Sequence, residues 1–316
     1  MLNAITSFIV SIIMAILSVF GIGGGSGGSG GGGFTPPANS TPSGYDISVD
    51  VAYGSHPLQK FDLIIPQGIG NVLSLAVHIH GGAWTGGDKS SFASHIMPYA
   101  KEKNMIAATL NYRLLTRDDP SINCWTMLED INDAVSKIVE VCRSKGYLIK
   151  KALILGESAG GHLALMYSYN YKNKSAVDIG LCYAVCPPTN LYEIKYFTED
   201  LISNDEMFFM QSHLTGTTIN RENLTSEATR DAQLKVSPIS YVTCFSVPTI
   251  FNSCGKDYMV PKSNGDDLEK ILKLAGVDYY YAVFPNSMHV CRDSKDSSIY
   301  NLFDIKLDQM IEKYVK

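Results

Sequence analysis

The sequence predicts an α/β fold, with a mostly parallel central sheet and helices on both of its faces. Short continuous apolar runs, typical of strands buried on both faces, alternate with segments of helical periodicity. Hydrophobic residues make up 45% and charged residues 18% of the 316 residues, a balance typical of a protein with a substantial core. The alternation starts near Tyr45 and continues to the end of the chain, which favours helices packed on a parallel sheet.

The first 44 residues differ from the rest and predict two further segments. Residues 2–22 carry no charged side chain and are long enough, as a helix, to span a bilayer core of about 30 Å. We therefore expect residues 1–22 to be a hydrophobic export signal, cleaved or not, or a membrane anchor. The protein would then be extracytoplasmic, either membrane-anchored or secreted. Residues 23–44 are rich in Gly, Ser and Pro and predict a flexible linker.

Residues 45–316 are predicted to form one folded domain, opening with an antiparallel pair at residues 46–52 and 59–65. The further predicted strands are residues 73–79, 105–110, 152–155, 179–185, 247–251 and 279–284. The predicted helices are residues 91–103, 127–144, 159–169, 266–274 and 301–315. Residues from about 191 to 236 break the alternation and predict a small cap-like insertion. Its aromatic side chains would either cover the site or form the insertion's own core.

Charge and cysteine spacing argue against several kinds of site. The formal net charge is −5 and no run of Lys or Arg is present, so no nucleic-acid partner is expected. The seven cysteines are widely spaced without a C-x-x-C pair, which predicts buried free thiols, with one or two disulfides as the alternative in an exported protein.

His78 and His80 share a strand face, but no ligand cluster accompanies them, so neither a metal nor another cofactor is expected.

The pentapeptide Gly-Glu-Ser-Ala-Gly at residues 156–160 carries the candidate nucleophile, Ser158. A buried-strand pattern precedes it and a helical pattern follows it, and the sharp turn between them needs small residues, which Gly156 and Gly160 supply. A serine hydroxyl at neutral pH needs a base, an orienting acid and a site for the oxyanion. Glu157 is expected to support this turn structurally.

The stretch His-Gly-Gly-Ala-Trp at residues 80–84 directly follows the predicted strand at residues 73–79. Glycines at such a position let backbone N–H groups turn toward a substrate oxygen. We predict an oxyanion hole formed by the N–H groups of Gly82, Ala83 and Ala159.

The base is found among the seven histidines largely by elimination. Where the nucleophile is a serine on such a strand-to-helix turn, the acid and then the base follow it along the chain. His162 lies one turn along the nucleophile's own helix, too local to face Ser158, so His213 and His289 remain as downstream candidates. His213 lies in the insertion. His289 follows the predicted strand at residues 279–284, where a catalytic loop at the edge of the sheet belongs, and is therefore the predicted base.

The acid should follow the preceding strand, at residues 247–251, and Asp257 occupies that position. Asp266 and Asp267 compete with it but lie on a predicted helix. A carboxylate at Asp257 would hold the imidazole of His289 in the correct tautomer and stabilise the imidazolium that forms.

With these elements in order, the sequence resembles carboxylesterases of the α/β-hydrolase superfamily, in particular the hormone-sensitive-lipase-like and bacterial feruloyl-esterase-like group. The shared stretches are residues 80–84, 87–89, 111–114, 156–162 and 237–238, then Asp257 with residues 260–261, and His289. They extend over nearly all of residues 45–316. Ala83 stands where the lipase-type loop has its third glycine, which keeps the N–H donor and adds a methyl group.

The resemblance implies hydrolysis of carboxylic esters through an acyl-enzyme, without a cofactor. We expect short acyl groups, for example acetyl esters, on a small molecule or a glycan. The first alternative is an amide hydrolase, such as a formamidase or an exopeptidase, on the same triad. The second is a non-catalytic binding domain, which the presence of Ser158, Asp257 and His289 disfavours.

Overall fold

The computed structural model describes residues 44–68, 70–193, 195–198, 204–291 and 296–316. In these residues eight strands form one sheet in the order β1-β2-β4-β3-β5-β6-β7-β8. The strands are β1 (Tyr45–Ala52), β2 (Lys60–Pro66), β3 (Val72–Ile79), β4 (Met105–Leu110), β5 (Leu148–Glu157), β6 (Asp178–Val185), β7 (Thr249–Cys254) and β8 (Tyr279–Phe284). The pairs β1–β2 and β2–β4 are antiparallel and the others parallel, which confirms the predicted α/β fold and its antiparallel opening.

Eight helices accompany the sheet in the described ranges. They are α1 (Ser90–Lys103), α2 (Cys124–Ser144), α3 (Ala159–Asn170), α4 (Lys195–Thr198), α5 (Asn204–Thr215), α6 (Glu227–Lys235), α7 (Ser263–Ala275) and α8 (Ser297–Tyr314). Two short 3₁₀ turns, Pro238–Tyr241 and His289–Cys291, complete the regular structure of this part of the chain.

The helices divide the core between the two faces of the sheet. Ala152 and Ile154 of β5 pack in one cluster with α2 and α3, whereas Leu153 and Leu155 pack in a second cluster with α1 and α8. Successive side chains of a strand point to opposite faces, so a continuous apolar run is what a strand covered on both sides requires.

Several predicted boundaries differ from the structure, among them the starts of β5 and α8, which lie four residues earlier than predicted. Two of the differences have identifiable reasons. Helix α2 begins three residues before residue 127, because the side chain of Asn123 accepts hydrogen bonds from the N–H groups of Trp125 and Thr126 and caps the helix there. Strand β7 was predicted at residues 247–251 but runs from Thr249 to Cys254. Its polar residues Asn252 and Ser253 continue the strand because they pair with β8.

The segment between β6 and β7 contains the helices α4, α5 and α6. Its aromatic residues have mixed roles. Tyr196 lines a pocket beside Ser158, whereas Phe209 packs under the guanidinium of Arg117, 4.2 Å from the ring centre, and against His213. Tyr196 therefore fits the alternative in which aromatic residues of the insertion cover the site.

The predicted export segment and nearly all of the linker lie outside the described residues, so the division into domains stays a prediction. Within the described ranges, no helix combines the length and apolarity that a membrane crossing requires. All seven cysteines are free thiols, six of them buried, with Cys244 exposed.

One buried ion pair joins the loop after β4 to α2. The carboxylate of Asp130 is almost completely buried and accepts hydrogen bonds from the Arg113 guanidinium at 2.7–3.1 Å, from the Arg113 backbone N–H at 2.8 Å and from the Gln59 amide at 2.8 Å. This carboxylate is also the main reason why the pKa of Arg113 is raised.

Replacing Asp130 with Ala should leave the partly buried guanidinium of Arg113 and the amide of Gln59 without their acceptor. We expect Asp130→Ala to lower the free energy of unfolding by about 3–5 kcal/mol. The matched control is Asp133→Ala, an exposed position on the same helix, which should change it by less than about 0.5 kcal/mol. Urea denaturation of the three proteins measures this difference, and equal midpoints for the two variants would contradict the assigned role of Asp130.

His162 of α3 connects three parts of the structure. Its Nδ1 accepts a hydrogen bond from the Trp84 indole N–H at 3.2 Å, and its Nε2–H donates to the Val236 carbonyl at 2.7 Å. Both contacts are satisfied only by the neutral ring. Burial lowers the pKa of His162 from its ordinary 6.5 to about 4.

This shift predicts a pH dependence of stability. Because the folded-state pKa of His162 lies below that of the unfolded chain, its contribution is fully present above pH 6.5 and is lost as the pH falls toward 4. We expect the free energy of unfolding to fall by about 3 kcal/mol over this range on account of His162. His162→Gln should lack that part of the decline in chemical denaturation at stepwise pH, and superimposable pH profiles for the two proteins would refute it.

Candidate active site

Ser158 occupies a sharp turn between β5 and α3. Its backbone has φ 53° and ψ −123°, a conformation that residues with a Cβ rarely adopt. The N–H of Ser158 donates to the carbonyl of Val185 on the neighbouring strand at 2.8 Å, which ties the turn to the sheet. The predicted strand–turn–helix arrangement is therefore present around Ser158.

The glycines at this turn are required by close backbone contacts. A Cβ at Gly160 would lie 2.1 Å from the carbonyl oxygen of Ile79, and one at Gly156 would lie 2.5 Å from the backbone of Gly160. Both distances are far below van der Waals contact. The end of β3 can approach the turn this closely only because the second residue of α3 is glycine.

His289 lies between Ser158 and Asp257. Its Nε2 is 2.9 Å from the Ser158 hydroxyl, and its Nδ1 is 2.6 Å from a carboxylate oxygen of Asp257. The other carboxylate oxygen of Asp257 accepts the backbone N–H groups of Met259 and Val260 at 2.8 and 2.9 Å. An acceptor at Nδ1 leaves Nε2 able to accept the serine proton, the tautomer that general-base chemistry needs.

The competing candidates lie elsewhere. His213 bonds the Phe209 carbonyl within its own helix at 3.0 Å. On α7, Asp266 pairs with Lys262, and Asp267 accepts from the amide of Asn190. The structure thus brings Asp257 and His289 to Ser158, and not these alternatives.

The loop after β3 carries the predicted oxyanion donors. Gly82 and Ala83 have positive φ values, 119° and 52°, and the carbonyl of Gly82 accepts the N–H groups of Thr85 and Gly86 in a tight turn. Within the described ranges, no group accepts a hydrogen bond from the N–H of Gly82, Ala83 or Ala159. Ala83 and Ala159 line one pocket together with Ser158, and Gly82 directly precedes Ala83.

Glu157 joins this loop to the nucleophile turn. One of its carboxylate oxygens accepts the N–H of Gly81 at 2.8 Å, and the other lies 2.7 Å from His78 Nε2. The side chain is buried, so these contacts orient the start of the loop beside Ser158. Glu157 thus has the structural role that was expected of it, and His78 is one of its two partners.

His80, the other histidine of that strand face, also has structural contacts. Its ring stacks on Tyr112 with centroids 4.5 Å apart, and its Nδ1–H donates to the carbonyl of Gly81 at 2.8 Å. Burial lowers the pKa of His80, which favours the neutral ring. The contacts of His78 and His80 therefore help to hold the loop that follows β3.

A pocket open to solvent lies beside Ser158. Apart from Ser158 and Gln211, its lining is apolar: Ala83, Trp84, Ala159, Pro188, Leu191, Tyr196, Met207, Met210, Met259 and Val260. The amide of Gln211 is buried and donates to the Leu191 carbonyl at 3.2 Å. Sequence reasoning did not identify Met207 or Met210, because no pattern in a segment of irregular composition indicates which of its apolar residues face the site.

Comparisons with known proteins agree with this fold. The model of the BD-FAE family matches residues 61–272. A probable isoprenylcysteine alpha-carbonyl methylesterase of Oryza sativa subsp. japonica is 23% identical over 243 residues, which cover 76% of this chain and 57% of that protein. The chain thus spans a little over half the length of this curated relative.

Solved esterase structures share the fold. A truncated carbohydrate esterase from gut microbiota superposes with a TM-score of 0.67 at 16% identity, covering 84% of this chain and 97% of its own. Inhibited esterase B from Lactobacillus rhamnosis superposes with a TM-score of 0.63 at 17% identity, covering 87% and 91%. The resemblance to α/β-hydrolase carboxylesterases is confirmed at the level of fold. Since the family match extends over more than half of the chain, the protein belongs to the BD-FAE family.

Proposed function

We propose that this protein is a serine carboxylesterase that hydrolyses short-chain esters through an acyl-enzyme. The observation that carries the proposal is the line of hydrogen bonds from Asp257 through His289 to Ser158, with distances of 2.6 and 2.9 Å. Each group has the partner that its role in acyl transfer requires. Membership of the BD-FAE family and the esterase relatives agree with this reaction class.

In the proposed mechanism Ser158 Oγ attacks the ester carbonyl while His289 Nε2 takes its proton. The Asp257 carboxylate stabilises the resulting imidazolium, and the N–H groups of Gly82, Ala83 and Ala159 donate to the oxyanion. His289 then protonates the leaving alcohol, and an ester of Ser158 remains. Water, activated by the same imidazole, attacks this ester and releases the acid.

The proposed preference for a short acyl group is supported by the pocket beside Ser158. Its apolar lining suits a small alkyl chain, and Met207 and Met210 of α5 and Met259 are among the side chains that line it. Each buried methylene contributes about 0.8 kcal/mol to transition-state binding, so an acyl chain gains affinity until it meets these side chains.

Two finer points belong to the proposal as well. We propose that the ester is carried by a small molecule or a glycan, and that the protein acts outside the cytoplasm, on the basis of the apolar segment at residues 1–22. Release of acetate from an acetylated polysaccharide by the purified protein tests the first point, and cell fractionation tests the second.

The amide-hydrolase alternative uses the same Ser158, His289 and Asp257. No contact in the described residues favours an amide over an ester. Hydrolysis of an acyl anilide faster than of the matching phenyl ester would support the alternative and contradict the proposed ester preference.

Ser158→Ala removes the nucleophile and should lower kcat for p-nitrophenyl acetate by about 10⁴-fold or more. Ser168→Ala, at another buried serine on α3, is the matched control and should keep wild-type turnover. Initial rates with p-nitrophenyl esters of increasing chain length measure both the loss and the acyl preference. Undiminished turnover by Ser158→Ala would refute the proposed nucleophile, and turnover restricted to long-chain esters would refute the short-acyl preference.

Met210→Trp should fill part of the pocket. We expect wild-type kcat/KM to rise from acetate to butanoate by about 10-fold, the value of two buried methylenes, and this gain to disappear in Met210→Trp. The control is Leu302→Trp, at an exposed position on α8, which should leave the ratio unchanged. The same butanoate-to-acetate ratio in all three proteins would show that the acyl chain binds elsewhere.

A further inference from the structure

Three cysteines that are distant in sequence meet next to Asp257 and His289. Cys186 follows β6, Cys254 ends β7, and Cys291 ends the turn that carries His289. The sulfur of Cys254 lies 3.4 Å from that of Cys186 and 3.2 Å from that of Cys291. Each residue is about 1% exposed, so the sulfurs form a cluster closed to bulk solvent.

The donor set of this cluster is uniform. All three sulfurs lie within 4.8 Å of one another, so they can surround a single point. A set composed only of thiols selects soft metal cations over Mg²⁺ or Ca²⁺, which prefer oxygen. Three sulfurs bound to one zinc-sized ion at about 2.3 Å would stand roughly 3.8 Å apart. The observed separations would therefore widen by about half an ångström on binding.

The surrounding residues orient the sulfurs. The side chain of Asn252 accepts the backbone N–H of Cys186 at 2.9 Å, and its amide group lies 3.5 Å from the sulfur of Cys291, to which it can donate. The hydroxyl of Tyr300 donates to the carbonyl of Cys291 at 2.8 Å. Hydrogen bonds to ligand sulfurs are one of the means by which proteins tune metal–sulfur sites.

The backbone also holds two of the cysteines in conformations that residues with a Cβ rarely adopt. Cys186 has φ 45° and Cys291 has φ 59°. Such conformations persist only where the surrounding structure imposes them, and they concentrate at functional positions.

We propose that Cys186, Cys254 and Cys291 form a binding site for one soft, thiophilic cation of the Zn²⁺ or Cu⁺ class. On binding, each thiol loses its S–H proton to solvent and forms a sulfur–metal bond. No electron is transferred, so the site needs no oxidant or reductant.

The site is positioned to affect the acid–base pair. The sulfur of Cys186 lies within 4.8 Å of ligand atoms of both Asp257 and His289. Cys254 precedes Asp257 by three residues and Cys291 follows His289 by two. Widening of the cluster would therefore displace the imidazole and the carboxylate. This effect on hydrolysis rests on the proposed esterase function, whereas binding itself does not.

The test uses the full-length, fully reduced chain carrying Cys244→Ala, which removes the exposed thiol, and Cd²⁺ as the probe. We expect one tightly bound Cd²⁺ per chain by native mass spectrometry, with thiolate-to-cadmium charge-transfer absorption in the ultraviolet. In this background Cys186→Ala, Cys254→Ala and Cys291→Ala should each weaken binding by on the order of 100-fold or more. Cys142→Ala, at a buried thiol on α2, is the matched control and should bind like the parent.

Cadmium NMR of the parent reports the number of sulfur ligands without any substitution in the cluster, so a variant that fails to fold does not decide the result. A shift characteristic of three sulfurs supports the site. Absence of charge-transfer absorption in the parent, or binding of Cd²⁺ by all three variants as tight as by the parent, would overturn it. One equivalent of Cd²⁺ should also lower ester hydrolysis by about 10-fold or more, since an ångström-scale displacement of a catalytic group has effects of this size. Full occupancy with unchanged hydrolysis would overturn the coupling to the acid–base pair.

Discussion

Ser158 is held in a left-handed turn between a buried strand and a buried helix, and the geometry of the site depends on this constraint. Such a backbone costs about 1–3 kcal/mol unless the surroundings compensate for it. Here they do so through the hydrogen bond from its N–H to Val185 and through the contacts of Gly160 with the end of β3. The same close approach places the loop after β3 next to the nucleophile, so the turn and the oxyanion donors are positioned together. Glu157 extends this arrangement because its carboxylate holds the N–H of Gly81.

The parallel part of the sheet explains how residues so distant in sequence converge. The loops after β3, β5, β7 and β8 leave the sheet at one edge, since the carboxyl ends of parallel strands lie on the same side. Ser158, Asp257 and His289 all occupy these loops. Their order along the chain therefore follows from topology. Local contacts then orient each side chain. The N–H groups of Met259 and Val260, for example, orient the Asp257 carboxylate.

Much of this arrangement was predictable from sequence because the relevant signals are local. The apolar runs identified the buried strands, and the glycines around Ser158 identified the turn. Asp257 and His289 could be chosen by their positions after predicted strands, although sequence alone does not establish their roles. The error at the start of α2 came from an overlooked local cap at Asn123. Other errors arose where a tertiary contact overrode the local signal. Asn252 looks like a loop residue, yet it continues β7 because both neighbouring strands pair there. The pocket residues Met207 and Met210 were not predicted because helix packing, and not composition, determines which side of α5 faces the site.

The sulfur cluster is a further feature that could not be predicted from the sequence. Spacing rules for metal sites detect ligands that are neighbours in sequence, but Cys186, Cys254 and Cys291 come from three different strand ends. Only the sheet topology brings them together, and it does so for the same reason that it brings the acid to the base. A ligand set built from the ends of catalytic loops cannot move independently of those loops. Ser158 lines the apolar pocket, whereas the sulfurs lie next to Asp257 and His289. Substrate and cation would therefore contact different atoms of the same group of loops. Binding at the sulfurs could therefore change the rate of the chemical step without occupying the substrate's space.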